Sequence, residues 1–219
     1  MEKVYLIHAR AQSGKDTAAT CMKQYYEQRG KRVIVIAFAD YVKYVLEKYY
    51  NTPHERTIEY RTRIQEFATD QVRFYNPNFW VYTVAELLYC IRDDFDIAII
   101  PDWRFMNEYT TLNLYMEEIG ASITTVLIIR EKNNDTDNMT ETQRNHQSEC
   151  ELDNYKNFDY FDLDISKLSF SRFFSRFLYV CSDVSAKFFL FFRKKYPSPH
   201  RVRFLAESLT NTAKCEHRI

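Results

Sequence analysis

Ala9-Arg10-Ala11-Gln12-Ser13-Gly14-Lys15-Asp16-Thr17 stands between two segments of different periodicity. Before it, Val4-Tyr5-Leu6-Ile7 is a continuous apolar run, which predicts a buried strand. After it, residues 18–28 repeat with helical spacing. Strand, tight turn with Gly-Lys, then helix is the context a phosphate-binding loop needs. The unpaired N–H groups and the dipole of the helix start offer partial positive charge to an anion. Ser13, Gly14, Lys15, Asp16 and Thr17 are therefore the expected phosphate-binding residues, with Lys15 reaching the β- and γ-phosphates of a nucleotide. The loop departs from Gly-x-x-x-x-Gly-Lys-Ser/Thr at two places. Ala9 takes the first glycine position, where a positive φ would disfavour it. Asp16 replaces the hydroxyl that meets Mg²⁺, with Thr17 one place later. Asp16 either holds the metal, directly or through water, or offsets the helix dipole as a cap. The bland alternative for the whole stretch is a strand-to-helix turn that carries Gly-Lys by chance.

The chain of 219 residues is long enough for one α/β domain with a sizeable core. Lys+Arg and Asp+Glu are 30 each, so no net field draws a nucleic acid polymer or an acidic membrane. An anion site must be built locally. Of the 3 glycines, Gly30 and Gly120 follow helical patterns and precede apolar runs, as helix C-caps do. Cys21, Cys90, Cys150, Cys181 and Cys215 lack metal-knuckle spacing and predict reduced thiols in a cytoplasmic protein. Met1-Glu2-Lys3 runs straight into a predicted strand, so no signal peptide is expected. Residues 173–192 are apolar but carry Arg176, Asp183 and Lys187, which suits a core helix rather than a membrane span.

Further buried strands are expected over residues 32–37, 96–100 and 123–129, each a near-continuous apolar run. Helices are expected over 38–50, 55–74, 76–92 and 107–118. This alternation predicts a three-layer α/β/α fold around a mostly parallel central sheet. In such sheets ligands lie at the C-terminal strand edge. Asp40 and Lys43 open the second helix there, though Asp40 also suits a helix cap and Lys43 a solvated surface. Arg61 and Gln65 share one helical face, either to hold a substrate phosphate or as a solvated, ion-paired face. Trp80 recurs with Val84, Leu87 and Leu88 at core spacing. Asp102 and Arg104 follow the third strand. Asp102 suits Mg²⁺ or its waters and Arg104 suits charge on a transferring phosphoryl group; the alternative is an Asp–Arg pair closing a turn. The fourth strand delivers Arg130. Residues 131–151 are polar and long for a loop, which predicts a mobile lid carrying Arg144 and His146. His146 reads as solvated rather than as a general base. A last short strand is expected over 158–163, and an aromatic helix with a polar tail over 166–219, outside a core of 1–165. Pairing of two copies through that helix stays open.

Ser13-Gly14-Lys15-Asp16-Thr17, Asp102-x-Arg104-Phe105-x-Asn107-Glu108, Arg130, His146-x-Ser148-Glu149-x-x-Leu152-Asp153-Asn154-Tyr155 and Phe158-Asp159 occur in that order. So do Arg61, Gln65, Thr69-Asp70 and Asn76-Pro77-x-x-Trp80. Together they resemble bacteriophage-type deoxynucleoside monophosphate kinases over roughly residues 1–165, with the order carrying the specificity. The resemblance implies a P-loop kinase fold with a helical acceptor region over about 40–92 and a lid over about 131–151. It implies transfer of the ATP γ-phosphate, with Mg²⁺, to a nucleoside monophosphate. By position it implies Lys15 at the donor phosphates, and Asp16 and Asp102 near the metal. Arg104 and Arg130 would lie on the phosphoryl charge. Asp40, Lys43, Arg61, Gln65 and Trp80 would lie in the acceptor region. Animal-type phosphomevalonate kinases are also similar, through Ser-Gly-Lys-Asp and Ser148-Glu149-Cys150-Glu151-Leu152-Asp153-Asn154. A third reading is a degenerate P-loop protein that binds a nucleotide without turnover.

Overall fold

A computed structural model describes residues 1–11, 13–53, 55, 57–129 and 139–159, all within one compact unit. The expected Arg130, residues 131–138 of the lid, the last strand beyond 159 and the segment 166–219 lie outside the described residues. Strands β1 (Lys3–Ala9), β2 (Val33–Val35), β3 (Ile97–Ile100) and β4 (Ser122–Ile128) form one sheet. Between them run α1 (Lys15–Glu27), α2 (Phe38–Tyr50), α3 (Ile58–Gln65), α4 (Phe79–Cys90) and α5 (Met106–Glu118).

The strand order is β2-β3-β1-β4, and every pairing is parallel. Val4 lies beside Ala98 and Ile123, and Leu6 beside Ile100 and Thr125. All four residues of β3 are buried, as are Val4 to Ala9 of β1. Burial on both faces is why these strands read as unbroken apolar runs. Val4, Leu6, Ala98 and Ile100 meet Val81 and Leu88 of α4 and Leu112 and Met116 of α5. Tyr5, one residue out of phase, turns to the other face and hydrogen-bonds Tyr26 of α1. Burying each such side chain stabilises the fold by roughly 1.5–3 kcal/mol. The result is the expected three-layer α/β/α fold around a parallel sheet, with the β1–α1 loop at the C-terminal edge of the sheet. Gly30 and Gly120 end α1 and α5 with φ of 76 and 70 degrees, the left-handed conformation of a C-cap.

Helices α2 and α4 and the chain between them have a small core of their own. Val42 and Leu46 of α2, Phe67 and Trp80 form it, with Ile64 and Val72 partly buried against it. The charged helix expected over 55–74 is two structures. Thr57 caps α3 by accepting the Tyr60 N–H at 3.1 Å. At Glu66 the chain changes to π-helical turns that run to Arg73. The wider turn rotates the side-chain faces, and such turns concentrate at functional sites. Among the described residues no helix is long and apolar enough to cross a membrane, and Cys21, Cys90 and Cys150 are free thiols.

Candidate active site

The phosphate loop is shaped by Gly14, the N-cap of α1, at φ 86 degrees. Ser13 donates its N–H to the Arg10 carbonyl at 3.2 Å, and Ala18 donates to the Gly14 carbonyl at 3.0 Å. Lys15, Asp16 and Thr17 fill the first turn of α1, where the backbone N–H groups have no intrahelical acceptor. Ala9 is no obstacle. It is the buried last residue of β1, paired with Ile128, and Asn51 is the only non-glycine with positive φ among the described residues. The expected conflict does not arise, because the strand extends to Ala9 and its methyl group sits on extended backbone.

An open cleft of about 1000 Å³ faces this loop. It gathers Lys15 and Asp16, Lys43 of α2, Arg61 and Gln65 of α3, Trp80 of α4, and Asp102 and Arg104 after β3. Ser13 is buried and Thr17 exposed, and neither lines the cleft. Asp40, Arg144 and His146 are also outside the lining. Asp40 caps its own helix, accepting the Ala37 N–H at 2.8 Å and Lys43 Nζ at 3.2 Å. Arg144 is exposed on the short α6 (Glu141–Arg144). His146 is half-buried rather than solvated. Its Nδ1 lies 2.9 Å from Ser148 Oγ and its Nε2 3.3 Å from Asp70 Oδ1.

The described part of the expected lid, residues 139–151, is anchored. Met139 and Gln143 are buried. Gln143 Nε2 donates to the Ile58 carbonyl at 2.9 Å and to Thr62 Oγ1 at 2.8 Å, and Gln65 Nε2 donates to the Gln143 carbonyl at 3.3 Å. Arg10 of the phosphate loop pairs with Asp153 at 2.5 Å. Gln65 thus spends one donor on this segment while lining the cleft.

The charges in the cleft fall into two sets. Arg61 has no ion pair or hydrogen bond on its guanidinium among the described residues, and Lys15 has only the exposed Asp16 carboxylate at 3.4 Å. These two are open to an incoming anion. Arg73 and Glu108 are not. Arg73 Nη2 pairs with Glu108 Oε1, its Nη1 donates to the Pro77 carbonyl at 3.0 Å, and its guanidinium lies 4.1 Å from the centre of the Phe105 ring. Glu108 Oε2 accepts the N–H groups of Arg104 at 2.7 Å and Phe105 at 3.1 Å. Burial pushes the Glu108 carboxyl up to about 7, against the pull of Arg73 and those two N–H groups. Asp102 is similarly raised by burial, while its two oxygens accept the N–H groups of Phe38 and Ala39, each at 2.9 Å, at the start of α2. Asp102 therefore fastens α2 to the end of β3. The Trp103 N–H donates to the Ile7 carbonyl at 3.1 Å, and the Trp103 carbonyl lies 2.9 Å from His8 Nδ1, so the turn that carries Arg104 is bolted to β1.

Glu149, on the short α7 (Gln147–Cys150), accepts from Arg104 Nη1 at 2.7 Å. Sequence reading did not assign roles to Arg73, Glu108 or Glu149. Arg73 is one of many charges on a polar segment. Glu108 stands three residues after Phe105, which lacks the hydroxyl of a capping-box signature. Glu149 meets Arg104 across 45 residues of sequence.

Among the described residues no group of three or more His, Cys, Asp and Glu is placed to hold a metal. A Mg²⁺ that arrives on nucleotide phosphates needs only one or two carboxylates. Asp16, with a side chain 80% exposed beside Lys15, fits that need. Asp102, with both oxygens accepting backbone N–H groups, fits a contact through water.

No protein-family model matches the chain, and no curated protein matches its sequence. Solved structures do. The Mycobacterium tuberculosis APS kinase CysC, in complex with AMPPNP and APS, is similar at 11% identity and a TM-score of 0.38, over 59% of this chain and 64% of that one. A second structure of that enzyme aligns over 58% of this chain and 75% of that one, at 11% identity and a TM-score of 0.37. The Deinococcus radiodurans tunicamycin resistance protein is similar at 11% identity and a TM-score of 0.49, over 84% of this chain and 98% of that one. At these identities and TM-scores the likenesses carry no argument about this chain, and the chemistry of the site is read from its own residues.

Proposed function

We propose that this chain transfers the γ-phosphoryl group of ATP to the phosphate of a small acceptor, a (deoxy)nucleoside monophosphate. The observation that carries the reading is one cleft with open cations at two places: Lys15 on the phosphate loop and Arg61 on α3. Two separate anions, donor and acceptor, need such an arrangement. Arg104 and the carboxylates Asp16 and Asp102 line the same cleft. Val42, Ile64, Ala68 and Trp80 give the acceptor side an apolar wall that suits a flat base.

In the reaction an oxygen of the acceptor phosphate forms a bond to the γ-phosphorus as the bond from that phosphorus to the β–γ bridging oxygen breaks. ADP leaves with the electron pair. The acceptor oxygen is already ionised, so no strong general base is required. Positioning and charge neutralisation supply most of the rate. Lys15 and the first turn of α1 hold the donor phosphates, Arg104 offsets charge on the moving phosphoryl group, and Arg61 holds the acceptor phosphate. Asp16 and Asp102 would hold a Mg²⁺ ion brought by the nucleotide, which when bound would supply further charge neutralisation.

A coupled assay of ADP release with Mg²⁺-ATP and a panel of ribo- and deoxynucleoside monophosphates, plus phosphomevalonate, tests this. Turnover with one nucleotide class is expected. Turnover with phosphomevalonate alone would keep the chemistry and replace the acceptor. ATP binding with no turnover on any acceptor would overturn the proposal. Arg104→Ala is expected to lower kcat about 100-fold. Arg61→Ala is expected to raise the acceptor KM about tenfold with little change in that for ATP.

A further inference from the structure

We infer that Glu149 is a positioning residue, holding the Arg104 guanidinium by one edge so that its remaining donors face the transferring phosphoryl group. The inference rests on the phosphotransfer reading above. Arg104 Nη1 donates to Glu149 Oε2 at 2.7 Å, and the two side chains are 16% and 11% exposed. Both line the cleft. A guanidinium has five N–H donors in a rigid fork. Among the described residues Glu149 is its sole hydrogen-bond partner, with the Asp102 carboxylate attracting it at longer range, so the donors on Nε and Nη2 are unspent. A mostly buried guanidinium with open donors is a receptor for a second anion, and phosphate oxygens match its fork.

An arginine left to itself spreads over many rotamers and loses that side-chain entropy on binding. Here that freedom is removed before the substrate arrives. The backbone N–H of Arg104 is held by Glu108 at 2.7 Å and its far end by Glu149. Glu149 is in turn placed by a segment fastened on three sides. Arg10 holds Asp153 at 2.5 Å, the Met106 N–H holds Glu151 at 2.9 Å, and Gln143 holds the Ile58 carbonyl at 2.9 Å. These reach the phosphate loop, the β3–α5 turn and α3, so Glu149 sits in a fixed relation to both ends of the cleft. Its charge also keeps the buried Arg104 paired while the cleft is empty.

The test is a mutant cycle on the full chain, read as kcat with the acceptor found active. Glu149→Ala is expected to lower kcat about 10- to 100-fold, the scale of a misplaced catalytic group. The KM for ATP should stay within about twofold, since uniform binding is untouched. Glu149→Gln, whose amide oxygen can accept the same bond, should recover most of the loss. In an Arg104→Ala background, measured in single turnovers, Glu149→Ala should have no further effect. An equal loss in both backgrounds would overturn the role, because Glu149 would then act independently of Arg104. If Glu149→Ala does not fold, Glu149→Asp carries the same comparison by withdrawing the carboxylate one methylene. Turnover that the Glu149 substitutions leave unchanged would sink this role alone. An unaltered chain without turnover on any acceptor would sink the proposed activity and this role with it.

Discussion

At the phosphate-loop end of the cleft the proposed anion-binding groups are backbone N–H groups of α1, presented by Gly14 and a short turn. At the proposed acceptor end they are side chains, and much of the charge there is already spent on other charge: Arg73 on Glu108 and Lys43 on Asp40. The first end is built locally, within nine residues of sequence. The second is assembled from α2, α3, the π-helical turns, α5 and the segment 139–153. A backbone cradle tolerates change in its side chains. A buried ion-pair network does not, because removing one partner strands the other.

The largest effect should come from breaking that network. Glu108→Ala leaves Arg73, only 10% exposed, without its carboxylate. A loss of about 3–5 kcal/mol in unfolding free energy is expected by denaturant titration. A loss below about 1 kcal/mol would show the pair to be dispensable and erase the contrast between the two ends. Lys15→Ala should do the reverse. It should lower kcat/KM about 100- to 1000-fold while the thermal midpoint hardly moves, since the lysine sits at the cleft and not in a core. Activity that survives it would refute the phosphate-loop reading.

The third effect is a pH dependence. The Glu108 carboxyl is raised from an ordinary 4.5 to about 7, so the folded chain holds its proton more tightly than the unfolded chain does. Its stabilising contribution is complete below about pH 4.5 and is lost as the pH rises through about 7. Unfolding free energy should fall across that window by on the order of 3 kcal/mol, and Glu108→Gln should flatten the slope. An unchanged slope in that variant would assign the titration to another group. The smallest effect is expected at the loop. Ala9→Gly should leave ATP affinity unchanged and destabilise the strand by about 0.5–1 kcal/mol, because Ala9 occupies extended backbone. Tighter ATP binding in that variant would revive the suspicion that alanine spoils the loop.

Much of the fold was legible because its signals are local. Apolar runs mark β1 and β3, a β-branched run marks β4, and the Gly-Lys turn marks the start of α1. Glycines mark the ends of α1 and α5. That Lys15, Asp102 and Arg104 meet at the C-terminal edge of the sheet was readable from their place after β1 and β3. Asp40 was readable as a capping residue. The switch to π-helical turns after Gln65 was not, since the stripe of Ile64, Phe67 and Val72 fits an ordinary helix equally well. Nor was the partner of any arginine. Arg61 and Arg73 look alike in sequence, yet one is open to the cleft and the other is sealed against Glu108.

The sequence by itself determined the alternation of strand and helix, the parallel sheet and the position of the phosphate loop, because hydrophobic period and turn chemistry act over a few residues. Only the tertiary structure decided which charges are spent and which remain for a substrate. Ion pairs such as Arg104 with Glu149 join residues 45 apart, and no local pattern records a contact that exists only once the sheet has brought its loops to one edge.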